Sequence, residues 1–140
     1  MPYRAVPPTE ALELLGSVVL GRIAFTVDAL PTIRPVNHIV DHGEVIVRGH
    51  RGVDVVLKAA VGKVVSYSAD LIEPRTYVGW SVTLTGVAHL IEDSAVLARY
   101  PEVVRPWEAY EQGYVIRIHP QIVTGLELLE RPEVQPIGVA

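Results

Sequence analysis

The chain contains no cysteine among its 140 residues. That excludes disulfides, thiolate zinc sites, iron–sulfur clusters and cysteine nucleophiles together. Aromatic residues are scarce: six Tyr, two Trp and one Phe. A basic excess is also missing, since 12 Lys and Arg face 16 Asp and Glu for a net charge of −4. A nucleic-acid partner is therefore not expected, because such binders carry a cationic footprint. No apolar run approaches the roughly 18–20 residues needed to span a bilayer. Met1-Pro2-Tyr3-Arg4 lacks the charged-then-apolar order of a signal peptide. The expectation is a soluble cytoplasmic protein with no membrane partner. Signature motifs are absent as well: there is no phosphate-binding G-x-x-x-x-G-K-[ST], no G-x-G-x-x-G opening a helix, and no H-E-x-x-H. The five histidines, His38, His42, His50, His89 and His119, show no helical ligand spacing. They read as polar residues of strand faces and turns, and no metal site is expected.

What the chain has in quantity is Val, with 24 copies, and Ile, with ten. Stiff β-branched side chains fit a pleated surface better than a helix. Hydrophobic residues make up 49% and charged residues 20%, a globular composition, and the length suits one domain. A first helix is expected after Pro7-Pro8, with Thr9 as N-cap, Ala11, Leu12 and Leu15 as its apolar face and Gly16 as its stop. Strands are expected at Gly21–Val27, Thr32–Val40, Glu44–Arg48, Val64–Ser68, Val78–Ile91, Tyr114–His119 and Ile122–Leu128. Asp28-Ala29-Leu30-Pro31 and Asp41-His42-Gly43 read as turns of hairpins. Short helices are expected at Val53–Ala60, with Asp54 and Lys58 as an i,i+4 ion pair, and at Ser94–Tyr100, capped by Asp93 or Ser94. Gly86 can bend the long fifth strand, and Pro120 divides the last two. Pro35 inside a strand marks a sheet edge, a bulge, or a place where the backbone faces something other than a neighbouring strand. The sum is a mainly β chain: six or seven antiparallel strands with two or three short helices, closing into a small barrel that hides its edges.

No self-contained catalytic constellation is present, so any redox chemistry must come from a cofactor. The best place for one is Arg34 to Lys58, where Arg34, Arg48, Arg51 and Lys58 concentrate positive charge in an acidic chain. His50-Arg51-Gly52 leads into the predicted second helix, and backbone amides with an arginine fork suit a phosphate. The plain alternative is that Arg48 and Arg51 are solvated turn residues. Trp80 opens the long strand and Trp107 follows Pro106 in a loop; either can anchor a flat ring or simply pack.

Taken in order, Leu20-Gly21-Arg22-Ile23-Ala24, Arg34-Pro35-Val36-Asn37, Gly79-Trp80-Ser81-Val82, Thr85-Gly86, Pro106-Trp107 and the closing Arg117-Ile118-x-Pro120-x-x-Val123-Thr124-Gly125 resemble the pyridoxamine 5′-phosphate oxidase-like flavoproteins. The resemblance is to the short actinobacterial-type members and spans about residues 10 to 128. It implies a split β-barrel forming one domain over residues 1–140. It also implies flavin mononucleotide (FMN) bound at the interface of a homodimer and an oxidoreductase of unknown substrate. The backbone of Arg34, Pro35, Val36 and Asn37 would lie along the flavin ring. Arg48, His50, Arg51, Gly52 and Lys58 would surround the phosphate. Trp80, Ser81 and Trp107 would lie near the cofactor or the dimer seam, with Trp107 covering the partner's ring. Two departures matter. Gly52 is followed by Val53-Asp54 where many relatives have a hydroxyl residue and a lysine, which opens the alternatives of a deazaflavin, haem or no cofactor. The C-terminus also lacks the basic, tryptophan-containing motif of the true pyridoxamine phosphate oxidases, so vitamin B6 oxidation is not expected. A non-enzymatic carrier of flavin, deazaflavin or haem on the same barrel is the alternative function.

Overall fold

A computed structural model describes residues 2–49, 52–100 and 114–130. Its order is β1 (Tyr3–Val6), α1 (Pro8–Gly16), β2 (Leu20–Val27), β3 (Leu30–Asp41), β4 (Glu44–Arg48), α2 (Asp54–Ala60), β5 (Val64–Ile72), β6 (Gly79–Leu90), α3 (Ser94–Leu97) and β7 (Val115–Leu128). All strand pairs are antiparallel, in the order β1-β7-β4-β3-β2-β5-β6. A further β6–β7 pairing brings the two ends together, so β2 to β7 form a ring and β1 stands outside it. The mainly β, split-barrel expectation holds. No helix among the described residues is long and apolar enough to cross a membrane.

Several boundaries differ from the sequence reading, each for a physical reason. Helix α1 starts at Pro8, with Pro7 as N-cap and no side-chain cap; Thr9 lies inside it. Proline suits a first helical turn because its φ is preset and its missing N–H is not needed there. The β2–β3 turn is only Asp28-Ala29, both at positive φ (50° and 65°), the geometry of a two-residue type I′ hairpin. Strand β7 runs unbroken through Pro120, which sits at a register shift opposite Gly86, beyond the last β4 pair at Ile118. There a missing N–H costs no ladder bond. Helix α3 ends at Leu97, and Asp93 caps it by accepting from Ala95 N at 2.8 Å. Strand β1 was not expected at all. It pairs with Gly125–Leu128, and Arg4 is forked between Glu10 (2.7 Å) and Glu127 (3.0 Å).

The barrel interior is packed with inward residues of every ring strand, among them Ile23, Val36, Val47, Tyr67, Leu84 and Ile116, all fully or almost fully buried. Ala11 and Leu15 of α1, and Leu57 and Ala60 of α2, join the same core. A histidine sits within it. His38 is fully buried, and its Nε2–H donates to the Leu15 carbonyl at 2.8 Å, because a carbonyl can only accept. That leaves Nδ1 to accept from the Tyr67 hydroxyl. The rings meet edge to face with centroids 5.0 Å apart. Gly21 makes room for this pair: a Cβ there would collide with the Tyr67 ring and hydroxyl. Burial drives the Tyr67 phenol far above its ordinary pKa, so it stays a donor.

Burial lowers the pKa of His38, the Leu15 bond opposing. The unfolded chain takes up this proton near pH 6.5 while the folded barrel does not. Stability is thus complete above about pH 6.5 and falls as pH drops below it; urea midpoints measured between pH 5 and 8 should show this, and His38→Phe should flatten the profile. Tyr67→Phe leaves a buried acceptor without its donor and should cost about 1–3 kcal/mol. Ala29→Gly should instead stabilise by about 0.5–1 kcal/mol in the same assay, since a Cβ at positive φ is strained.

Candidate functional site

Strand β3 registers with β2 from Leu30 to Asn37 and with β4 from Asn37 to Asp41, so it exchanges one neighbour for the other at Asn37 and has a single strand neighbour from Leu30 to Val36. This is where the barrel splits. Pro35 stands in the one-sided part, as its lost N–H requires. Alternation sends Pro35 and Asn37 to the outer face. Val36 points inward and is fully buried, so it can offer a ligand only backbone. Arg34 shares the parity of Val36, is exposed, and its guanidinium donates to the Ile33 carbonyl at 2.8 Å. Asn37 is in register with Arg48 on β4, and Arg48 with Val115 on β7. The structure thus brings Pro35, Asn37 and Arg48 together on one outer face. Arg22 joins them: it is exposed and in register with Pro35 on one side and Ser68 on the other. Sequence reasoning passed over it, although the β2 alternation of Gly21, Ile23 and Phe25 against Arg22, Ala24 and Thr26 assigns it to that face.

Beyond Arg48 the chain is held by a short network. Gly49 N–H donates to the Tyr114 carbonyl at 2.7 Å, and Tyr114 N–H donates to Asp54 Oδ1 at 3.1 Å. The Asp54 carboxylate lies directly against Gly49, where a Cβ would collide with it. Asp54 is 5% exposed, and its Oδ2 has no hydrogen-bond partner among the described residues. The expected Asp54–Lys58 ion pair does not form: Lys58 is exposed while Asp54 turns inward. A buried carboxylate needs donors, and the Tyr114 amide supplies one. Gly52 is an exposed turn residue and Val53 is buried. His50, Arg51 and Trp107 lie outside the described residues.

Trp80 and Ser81 lie elsewhere in the chain. Trp80 faces the core at 8% exposure, and Ser81 faces outward, in register with Asp70 and Leu126. Arg48 is in register with Val115, so the two groups lie 126 − 115 = 11 residues apart along β7. At about 3.3 Å per residue this is roughly 36 Å of strand. Among the described residues no group of three or more His, Asp or Glu could hold a metal.

Asp54→Ala should cost about 1–3 kcal/mol by leaving the Tyr114 amide without an acceptor, and Asp54→Asn, which keeps an oxygen there, should cost less. Urea unfolding of both variants measures the difference.

Comparison with known proteins agrees with this geometry. The family model for pyridoxamine 5′-phosphate oxidase matches residues 7–127. The uncharacterized protein Rv0080 of Mycobacterium tuberculosis is 44% identical over 124 residues, covering 86% of this chain and 82% of its own. The structure of the FAD binding protein from Mycobacterium smegmatis is similar at 35% identity and a TM-score of 0.74, over 87% of this chain and 95% of that one. A candidate pyridoxamine 5′-phosphate oxidase from Corynebacterium glutamicum superposes with a TM-score of 0.78 at 27% identity, over 94% of this chain and 98% of that one. With its fold, its split edge and these matches in accord, the chain belongs to the pyridoxamine 5′-phosphate oxidase family.

Proposed function

We propose that this chain is a flavin-dependent oxidoreductase, one domain over residues 1–140, working as a cytoplasmic homodimer on a small-molecule substrate. The observation that carries the reading is the single outer face on which Pro35, Asn37 and Arg48 meet, at the point where β3 exchanges β2 for β4 as its strand neighbour. A flat ring can lie along such a one-sided strand and take hydrogen bonds from its backbone, while Arg48 supplies positive charge at the end where the ring's phosphate chain would run. The inward turn of Asp54 fits this arrangement: its carboxylate is bonded into the fold beneath Gly49 rather than presented at the surface. Arg51 and Lys58 are assigned to the phosphate, and Trp107 to the cover over the ring. Bound flavin would supply hydride or electron transfer; the protein's part is to bind, orient and exclude water.

FMN is the form the sequence resemblance implies. FAD is the second reading, favoured by the 35% identical Mycobacterium smegmatis protein, which is described as FAD-binding. A carrier without turnover, or a slot for a deazaflavin or haem, are the outcomes that would replace oxidoreduction. The absorbance spectrum and mass of the co-purifying chromophore decide between these cofactors, and oxidation of a reduced nicotinamide with an electron acceptor decides between enzyme and carrier. A colourless protein that binds none of FMN, FAD, riboflavin, deazaflavin and haem would end the cofactor reading.

Arg48→Ala and Arg51→Ala should each weaken FMN binding by about 1.5–3 kcal/mol, the worth of a charged hydrogen bond, and leave riboflavin binding unchanged. Titration of the protein with both ligands checks this. Equal losses for both would remove these arginines from the phosphate.

A further inference from the structure

From Leu30 to Pro35 the edge of β3 that faces away from β2 has no strand against it, because pairing with β4 begins only at Asn37. The hairpin fixes which backbone groups this edge presents. The two-residue turn at Asp28-Ala29 makes Val27 and Leu30 a hydrogen-bonded pair, and bonded and unbonded pairs then alternate along β2 and β3. Leu30, Thr32, Arg34 and Val36 therefore turn their N–H and C=O groups toward β2. Pro31, Ile33 and Pro35 turn theirs toward the open edge. The rest of the strand keeps the same parity. His38 N–H donates to the Val19 carbonyl, on the β2 side, at 2.9 Å. The second two-residue turn, His42-Gly43, makes Asp41 and Glu44 the bonded pair that starts the ladder to β4.

Two of the three edge-facing residues are thus prolines, which have no N–H. At these positions no bond to β2 is lost. The third, Ile33, keeps its N–H, but its carbonyl accepts from the Arg34 guanidinium at 2.8 Å. Ile33 is 59% exposed, and Leu30, Pro31 and Arg34 are exposed as well.

We propose that β3 carries a guarded edge: Pro31, Arg34 and Pro35 prevent a strand of a second copy of the chain from adding to it, and so keep the face beside Asn37 and Arg48 from being filled by backbone. An unguarded strand edge is a template for another chain. Two copies would meet there antiparallel, about a two-fold axis at Ile33, with Pro31 opposite the partner's Pro35. Each facing pair would exchange two hydrogen bonds, six in all over the three pairs. The four that need a proline N–H cannot form, and the two at Ile33 compete with Arg34 for the carbonyl. Pro35 also acts within the chain. Pairing of β3 with β4 stops at Asn37↔Arg48, and the next edge-facing residue of β3 is this proline, with no N–H to continue the ladder. The guard works through backbone groups and is independent of the identity of the cofactor.

Sedimentation of the full chain tests this. The double variant Pro31→Thr with Pro35→Thr restores both N–H groups without adding apolar surface, and threonine suits a strand. It should self-associate about tenfold more tightly than the parent protein, with new hydrogen-exchange protection at the amides of positions 31, 33 and 35. Adding Arg34→Thr should tighten association further by freeing the Ile33 carbonyl. Adding Ile33→Lys instead sets like charges across the axis and should return the double variant to the parent's mass. Pro74→Thr, in the exposed β5–β6 loop, should leave the mass unchanged, which separates edge pairing from the general loss of a proline. Circular dichroism reports folding. Should the double variant not fold, Pro31→Thr alone, at the exposed end of the hairpin, should show a smaller shift in the same direction. A folded edge variant with the parent's mass, association that survives Ile33→Lys, or an equal shift in Pro74→Thr overturns the proposal. The flavin reading is decided separately, by the chromophore that the parent protein binds.

Discussion

The pairing of β6 with β7 is the constraint from which the rest follows. It runs from Gly79↔Leu128 to Leu90↔Ile116, with one register shift beside Gly86, and it converts an open sheet into a ring. Because β7 gives one whole edge to β6, its other edge must be shared, Val115–Ile118 to β4 and Gly125–Leu128 to β1. The ring therefore cannot be laced equally all the way round. The strand most affected is β3, which keeps β4 for only five residues. The split that exposes the candidate site is the geometric remainder of that closure.

Closure also decides what the interior can do. Opposed strands of a six-stranded ring lie close enough for side chains to fill the space between them, and here they do. The imidazole admitted there, His38, is satisfied at both nitrogens by the Leu15 carbonyl and the Tyr67 hydroxyl. That links α1, β3 and β5 by bonds that lose strength if any one of the three shifts. A buried histidine this completely committed holds the fold together and is not a ligand waiting for a metal. The interior is thus spent on packing, and binding has to occur on the outside.

Much of this was legible in the chain. Alternation identified β6, and Asp28-Ala29-Leu30-Pro31 and Asp41-His42-Gly43 marked the β2–β3 and β3–β4 hairpins, although the first turn is shorter by two residues. Pro35 announced the one-sided stretch of β3. What escaped was set by partners distant in sequence. Nothing local in Tyr3–Val6 requires a strand; Gly125–Leu128 imposes one from over 100 residues away. Asp54 looked like half of a helix-surface ion pair because Lys58 is four residues on. Its actual partner is the amide of Tyr114, sixty residues later. Trp80 read as a ring anchor because tryptophans are few, yet parity within β6 sends it inward and leaves the outer face to Ser81.

The position of a site on a barrel's outer surface carries its own requirement. A flat cofactor laid on one sheet face has its other face in water, where hydrogen bonds and charges are weakened and reactive intermediates are open to solvent. The chain has no long insertion among its described residues to fold back as a cover over Pro35 and Asn37. Its smooth, small-residue outer sheet begins one strand away, at Arg22. The ring closure that fills the interior leaves the outer face as the place where a flat ligand could lie, so shielding for such a ligand has to come from outside the core.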